Sequence, residues 1–191
     1  MSDTHTIPVP AVRRILAAAR FAAQKHATQK RKGKAGEPYV NHLLEVAELI
    51  AGSSDTLDVD LIAAALLHDT VEDTLTTSEE LRQAFGDDVA ALVAEVTDDK
   101  SLPKAARKAL QISNAPHKSL RAATLKLADK ISNLRAILAS PPADWTVERQ
   151  REYFAWAKRV VDSLPPSNPV LQAEFDRTYA RVVEIGSSHP Q

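Results

Sequence analysis

The longest fully apolar run in this 191-residue chain reads Leu61-Ile62-Ala63-Ala64-Ala65-Leu66-Leu67, and His68-Asp69 follows it directly. A helix over this run, starting at Asp58 or its neighbour, would be apolar on every side and must therefore be enclosed by other parts of the protein. Burying an unpaired histidine or carboxylate costs several kcal/mol. We therefore expect His68 and Asp69 either to hydrogen-bond to a neighbouring helix or to bind a metal ion.

Helical periodicity continues on both sides of this run. Apolar residues spaced three and four apart predict helices before it, with a second helix closed by Gly52, and after it as far as Phe175 and Val182. Thr77-x-x-Glu80 predicts a capping box for a short helix that ends at Phe85-Gly86, where a further helix begins. Ser119 and Asn168 are candidate N-caps of later helices. The sequence predicts a single all-α domain over residues 1–191, with residues 1–10 and 186–191 loosely held.

Composition restricts the chemistry of the protein. With no cysteine, the chain has no thiolate zinc site, and its five glycines do not form a phosphate-binding glycine motif. The formal net charge of −1 gives no field that would recruit nucleic acid or a membrane. Residues 1–36 contain a single acid, as transit peptides do, but the segment reads as part of the fold. We therefore expect a cytoplasmic protein that binds neither nucleic acid nor membranes.

An acidic cluster follows His68. Residues 69–73 contain three carboxylates and no cation. Glu72 is four residues after His68, and Asp73 is four after Asp69, so both point toward one patch if the helix or its exit turn continues. A divalent ion would relieve the repulsion within such a cluster.

Two further candidates stand on other predicted helices. Asp129 shares a helix face with Asn133 and needs a partner there, either a salt bridge to Lys130 or Arg135 or a metal ion. His42 opens the second helix, where a capping or packing role is the alternative to metal ligation.

Four longer strings carry a resemblance to a known family. They are Arg31-Lys32 with Pro38-Tyr39-Val40-Asn41-His42, then Leu67-His68-Asp69-Thr70-Val71-Glu72-Asp73, then Val96-Thr97-Asp98-Asp99-Lys100, and Lys126-Leu127-Ala128-Asp129-Lys130-Ile131-Ser132-Asn133. In one register over residues 12–183 they resemble the HD-domain (p)ppGpp hydrolases, the family of the RelA/SpoT hydrolase domain, and above all its stand-alone MESH1-like members. Leu43 stands where the family usually has proline, and we expect it to be a packing residue.

The resemblance implies an HD-domain bundle of about eight to ten helices that removes the 3′-pyrophosphate of guanosine alarmones, giving GDP or GTP and pyrophosphate. It implies four ligands to one Mn²⁺ ion: His42, His68, Asp69 and Asp129. Mixed imidazole and carboxylate ligands suit such a borderline ion. Glu72 and Asp73 would position or deprotonate the attacking water, and the pair is expected to titrate as a unit.

The cationic loop before Glu37 would meet the anionic substrate, although a solvated loop with no ligand is the default interpretation of the residues alone. The resemblance points to Arg31 and Lys32 beside the nucleotide, since an arginine plane stacks on a purine. Gly33 and Gly36 would bend this loop. Further contacts to ribose or phosphate are expected from Asn133, Lys100, Lys104, Arg149 and Tyr153.

Two rival interpretations stay open at this point. One is an HD-type phosphohydrolase acting on another nucleotide, such as ppApp or NADPH. The other is a metal-free alarmone-binding or helical interaction module, which would have no need for Glu72 and Asp73 beside all four ligand types. His26 and His117 are expected to be structural or surface residues, and the sequence leaves the oligomeric state open.

Overall fold

The computed structural model describes residues 8–187, and within this range the chain is helical and has no β-strand. The described range contains nine α-helices and two 3₁₀ turns, at residues 115–117 and 181–184. The helices are α1 (Val9–Lys25), α2 (Val40–Ala51), α3 (Val59–Leu67), α4 (Thr70–Asp73), α5 (Ser78–Val96), α6 (Lys104–Ser113), α7 (Leu120–Ala139), α8 (Val147–Asp162) and α9 (Pro169–Ala180). The all-α class and the expected number of helices are confirmed.

Helix α3 lies at the centre of the bundle. Its residues from Leu61 to Leu67 are all buried, and it packs against α1, α2, α5 and α7. This enclosure is the physical reason for its all-round apolar sequence. Asp58 caps the helix by accepting a hydrogen bond from the backbone N–H of Leu61. Because α3 ends at Leu67, His68 and Asp69 lie at the edge of the core.

The predicted N-caps of three other helices are confirmed. Thr77, Ser119 and Asn168 each accept a hydrogen bond from the backbone N–H three residues further on. Within the described residues, the carboxylate of Glu80 accepts a hydrogen bond from Lys25 and none from the backbone N–H of Thr77, so only half of the predicted capping box forms.

Helix α5 is interrupted at Gly86, where φ is 82° and ψ is 170°. Side chains other than glycine rarely adopt this φ, which explains the glycine at this position. The break confirms the sequence prediction that one helical segment ends at Phe85-Gly86 and another begins. Arg14 donates a hydrogen bond to the carbonyl oxygen of Phe85 that the break exposes.

Helix α7 is the long helix that places one side of the site. It packs against α2, α5, α8 and α9, and its residues 122–132 are buried. It ends at Ala139, just before the Pro141-Pro142 pair that is incompatible with a continuing helix. The middle of α7 carries Asp129 toward the first turn of α2, where His42 lies.

The ends of the described range differ in part from the expectation. Helix α1 begins at Val9 and so includes two residues of the segment 1–10 that we expected to be loose. Residues 1–7 and 188–191 lie outside the described residues. Across residues 8–187, the structure contains no helix with the length and apolar character needed to cross a membrane.

Candidate metal centre and adjoining cavity

Four side chains meet where α2, α7 and the end of α3 come together. Asp69 Oδ2 lies 3.1 Å from His68 Nε2 and 3.6 Å from His42 Nε2. Asp129 Oδ1 lies 3.4 Å from His42 Nε2 and 3.9 Å from His68 Nε2. The structure therefore brings together all four residues that the resemblance names as metal ligands.

The hydrogen bonding of His68 suits a metal ligand. Its Nδ1 lies 2.7 Å from the carbonyl oxygen of Ala65, and because a carbonyl only accepts, Nδ1 carries a proton. Its Nε2 is buried and makes no hydrogen bond to a described residue. Burial lowers the pKa of His68, but the charges of Asp69 and Asp129 outweigh burial and raise the pKa to about 9. A divalent cation at Nε2 would satisfy this nitrogen in place of a proton.

A hydrogen-bond chain fixes the other histidine in the same way. Ser132 donates its single hydroxyl proton to Glu45 at 2.6 Å, so it must accept from Nδ1 of His42 at 2.8 Å. Arg135 holds Glu45 at 3.1 Å and is itself bound to Glu174 at 2.6 Å. Burial is the largest effect on the pKa of His42 and lowers it. The neutral ring thus directs its Nε2 lone pair toward the two aspartates.

Asp129 forms the salt bridge to Lys130 that was one of its two alternatives, and its other carboxylate oxygen faces the candidate ligands His42 and His68. Its Oδ2 lies 3.1 Å from Nζ of buried Lys130, while its Oδ1 faces the histidines and accepts a hydrogen bond from Asn133 at 2.6 Å. Burial would raise the pKa of Asp129, but Lys130 and His42 hold it well below its usual range. Arg135, the other candidate partner, pairs with two glutamates instead.

These donors fit a divalent cation. His42, His68 and Asp69 offer ligand atoms that lie within 4.8 Å of one another, and Asp129 faces both imidazoles. Two imidazole nitrogens with carboxylate oxygens form a borderline donor set, suited to first-row divalent metals. The orphaned Nε2 of His68 is the buried atom that such an ion would satisfy.

Tyr39 completes the support of this cluster, and the sequence analysis assigned it no role. Its hydroxyl donates to Asp69 Oδ2 at 2.6 Å. Burial, with the charge of Asp69 next in size, raises the pKa of Tyr39, so the phenol keeps its proton and remains a donor. The only signal in the sequence was its position in the Pro38-Tyr39-Val40-Asn41-His42 string.

Glu72 and Asp73 lie on the short helix α4 beside the cluster. Glu72 Oε2 accepts the backbone N–H of Asp98 at 3.1 Å, and Lys100 Nζ lies 3.6 Å from Glu72 Oε1. Burial raises the pKa of Glu72. Asp73 accepts hydrogen bonds from Lys100 and, at 3.0 Å, from Gln29.

A cavity of about 320 Å³ adjoins the four candidate metal ligands. Tyr39, Asp73 and Asn133 line the cavity on the side of the candidate ligands. Tyr39 donates a hydrogen bond to Asp69, and Asn133 donates one to Asp129. Five of the predicted substrate contacts line it: Arg31, Lys32, Lys104, Asn133 and Tyr153. Trp145 also lines the cavity, 5.5 Å from Tyr153 between ring centroids, and no sequence motif pointed to it.

Cations outnumber acids in the cavity wall, which carries Lys30, Arg31, Lys32 and Lys104 against Glu37 and Asp73. Arg31 donates to Asn133 at 3.3 Å, and its guanidinium carbon lies 5.9 Å from the centre of the Tyr39 ring. Burial and then the neighbouring charges of Arg149 and Lys32 lower the pKa of Lys104, as expected where cations crowd together.

The structure does not bring two predicted contacts to the wall. Lys100 is drawn to the carboxylates of Asp73 and Glu72, and it stands outside the set of lining residues. Arg149 likewise lies outside that set, 4.8 Å above the Trp145 ring. Oppositely charged and aromatic neighbours attract these cations, and spacing along the chain does not reveal them.

Comparisons with known proteins show the family of the chain. The family model described as HD domain matches residues 18–158. The chain is 48% identical over 165 residues to the guanosine-3′,5′-bis(diphosphate) 3′-pyrophosphohydrolase MESH1 of Xenopus tropicalis, covering 86% of this chain and 92% of that protein. The chain belongs to the MESH1 branch of the HD domain family.

Two further comparisons place it in the same branch. Human MESH1 is 49% identical over 158 residues, which cover 83% of this chain and 88% of that protein. A solved structure, described as a metazoan ortholog of SpoT that hydrolyzes ppGpp and plays a role in starvation responses, matches with a TM-score of 0.86 and 44% identity. The match covers 92% of this chain and 97% of that one.

In this HD-domain chain, Leu43 is fully buried in the core. A packing role at this position, expected from the sequence, is therefore confirmed. Of the two glycines expected to bend the loop, Gly36 does so and Gly33 has a different role. A Cβ at Gly33 would lie 2.3 Å from the carbonyl oxygen of Ser140, so Gly33 permits the loop to dock on the end of α7. Gly36 supplies a turn with φ of 59°.

Proposed function

We propose that this chain is a metal-dependent hydrolase that converts (p)ppGpp and water to GDP or GTP and pyrophosphate. The observation that carries the proposal is the convergence of His42, His68, Asp69 and Asp129 beside a cationic cavity of about 320 Å³. The names of its MESH1 relatives, and the description of the metazoan structure, support the guanosine substrate.

The residues divide the chemistry between them. When bound, a divalent cation supplies a Lewis acid that activates water and offsets phosphate charge. Glu72 and Asp73 would accept a proton from the water that attacks the phosphorus bonded to the ribose 3′ oxygen. The bond between that phosphorus and the 3′ oxygen breaks, pyrophosphate leaves carrying the oxygen of the water, and the carboxylate returns the proton to the 3′ oxygen. Burial raises the pKa of Glu72 toward neutral pH, and a carboxylate with a raised pKa is a stronger base.

The cavity orients the nucleotide. Arg31, Tyr153 and Trp145 offer flat faces for the guanine base, and Lys32 and Lys104 meet phosphate charge. Asn133 binds both Arg31 and Asp129, which links the base end of the cavity to the metal end. Lys100 and Arg149 have long side chains near this region and contact phosphates only on release from their present partners.

The proposal includes several finer points. Manganese is the favoured ion, because imidazole and carboxylate ligands without a thiolate suit it. We propose that residues 1–191 act as one domain that works in the cytoplasm on a small nucleotide. The absence of nucleic-acid and membrane partners remains a prediction.

A substrate panel tests the proposal. Purified protein, stripped of metal and reloaded with Mn²⁺, is incubated with ppGpp, pppGpp, ppApp or NADPH, and the products are separated by ion-exchange chromatography. We expect pyrophosphate from ppGpp and pppGpp that requires added metal. Turnover of ppApp or NADPH with none of ppGpp would refute the guanosine substrate.

The substitution Asp69→Ala separates an enzyme from a binding module. We expect turnover to be abolished while nucleotide binding, measured by calorimetry, partly survives in the cavity. The matched control is Asp176→Ala, which removes an exposed aspartate of α9. Full turnover by a metal-stripped Asp69→Ala protein would contradict the metal mechanism.

A further inference from the structure

Asp73 holds its carboxylate between two unequal donors. Lys100 reaches one oxygen from an exposed loop, with 48% of its own side chain accessible. Gln29 donates its side-chain amide to Oδ2 at 3.0 Å from the segment that follows α1. A long, half-exposed lysine orders a carboxylate poorly, so the orientation of Asp73 depends on Gln29.

The direction of the Gln29 amide is determined by its two neighbours. A carboxylate only accepts, so Gln29 must turn its NH₂ group toward Asp73. Its oxygen then faces Nδ1 of His26 at 2.6 Å, and that nitrogen must carry a proton. Reversing the amide would place its oxygen against the carboxylate and its NH₂ group against the proton on Nδ1, so with this tautomer neither bond would form.

His26 is itself rigidly placed. Only 2% of it is exposed, and its ring stacks on Tyr39 at 5.1 Å between centroids with a 23° angle between planes. Tyr39 donates to the metal-ligand candidate Asp69, and its backbone N–H donates to the carbonyl oxygen of Gln29 at 2.9 Å. One packed unit of three side chains therefore supplies a donor to Asp69 and a donor to Asp73.

We propose that His26 and Gln29 are positioning residues that orient Asp73 toward the attacking water, an inference that rests on the role of Asp73 in the proposed function. His26 fixes the amide, and the amide fixes the carboxylate. Neither residue needs to touch the substrate or the metal ion to act in this way. His26, expected from the sequence to be a structural or surface residue, thus acts on turnover through Gln29.

The test compares variants of similar shape by steady-state kinetics. Gln29→Met keeps the length of the side chain and removes the amide, and we expect kcat to fall about tenfold or more with KM within about twofold. His26→Phe keeps the stack and removes the Nδ1–H, with a similar loss. His26→Asn retains an N–H near the Nδ1 position and restores most of kcat. The Mn²⁺ affinity of each variant, measured by electron paramagnetic resonance, should equal that of the wild type.

A matched control and a partner variant make the result decisive. Gln172→Met removes a similar amide-to-carboxylate bond, to Asp176 on α9, and should leave kcat unchanged. Wild-type kcat in Gln29→Met, or a loss that appears only in metal affinity, overturns the inference. If a substitution of buried His26 prevents folding, the variant of partly exposed Gln29 still tests the inference. If the Asp73→Asn variant keeps the wild-type kcat, the proposed role of Asp73 itself is refuted. If Asp73→Asn lowers kcat and Gln29→Met does not, only the positioning role of Gln29 is refuted.

Discussion

Ser132 donates its one hydroxyl proton to Glu45 and therefore accepts the Nδ1–H of His42. Removing that hydroxyl in Ser132→Ala frees the imidazole to change tautomer, so its Nε2 lone pair is no longer held toward the metal position. Outer hydrogen-bond partners of metal ligands typically contribute about 10- to 100-fold to affinity or activity. We expect Mn²⁺ affinity, measured by calorimetry on the apoprotein, to weaken by about tenfold or more. Ser113→Ala, at an exposed serine of α6, should bind Mn²⁺ as the wild type does; equal affinity in both variants would contradict the relay.

Glu72 makes a prediction about pH. Burial raises its pKa, so this carboxylate becomes protonated at a higher pH than an ordinary glutamate does. A protonated carboxylate cannot accept a proton from water, so kcat should fall as pH drops through this raised pKa. The measurement is kcat from about pH 5 to 8 at saturating substrate and Mn²⁺. In Glu72→Gln the low residual rate should lack this acid limb, and an identical limb in that variant would assign it to another group.

At the scale of elements, α3 is the helix whose packing places the candidate ligands His68 and Asp69. Leu67 is fully buried immediately before His68, and truncation to alanine leaves a cavity that the surrounding helices fill only in part. We expect Leu67→Ala to lower the free energy of unfolding by about 2–5 kcal/mol, measured by denaturant titration. Leu75 is 99% exposed just after α4, and Leu75→Ala should change stability by less than about 0.5 kcal/mol. Comparable losses in the two variants would contradict the central place of α3.

The same scale shows what a sequence can predict. Asp58, Ser119 and the break at Gly86 are signalled within a few residues, because caps and left-handed turns are local chemistry. Family motifs predict the four candidate ligands, and the structure places their side chains together. The contacts of Tyr39 and Trp145 were missed, because they depend on how distant segments pack. No local sequence pattern predicts contacts between distant segments. For the same reason, none predicts that Lys100 pairs with Asp73 instead of lining the cavity.

At the scale of the whole molecule, the proposed metal centre joins helices that are distant in sequence. Its ligands come from α2, from the end of α3 and from α7, so only the folded chain assembles them. An ion that binds the folded state alone stabilises it by about 2.7 kcal/mol at a concentration of 100 times its Kd. For a chain of this size each kcal/mol raises Tm by about 2–4 °C, so Mn²⁺ should raise Tm by roughly 5–10 °C.

Asp129→Asn tests whether this stabilisation belongs to the proposed site. The substitution leaves Lys130 buried without its carboxylate, so the apoprotein itself should melt at a lower temperature. The informative quantity is therefore the shift between the apo and Mn²⁺-loaded forms of each protein, measured by differential scanning calorimetry. We expect this shift to be largely lost in Asp129→Asn and retained in Asp176→Asn, an exposed site on α9. An undiminished shift in Asp129→Asn would place the stabilising ion elsewhere on the molecule.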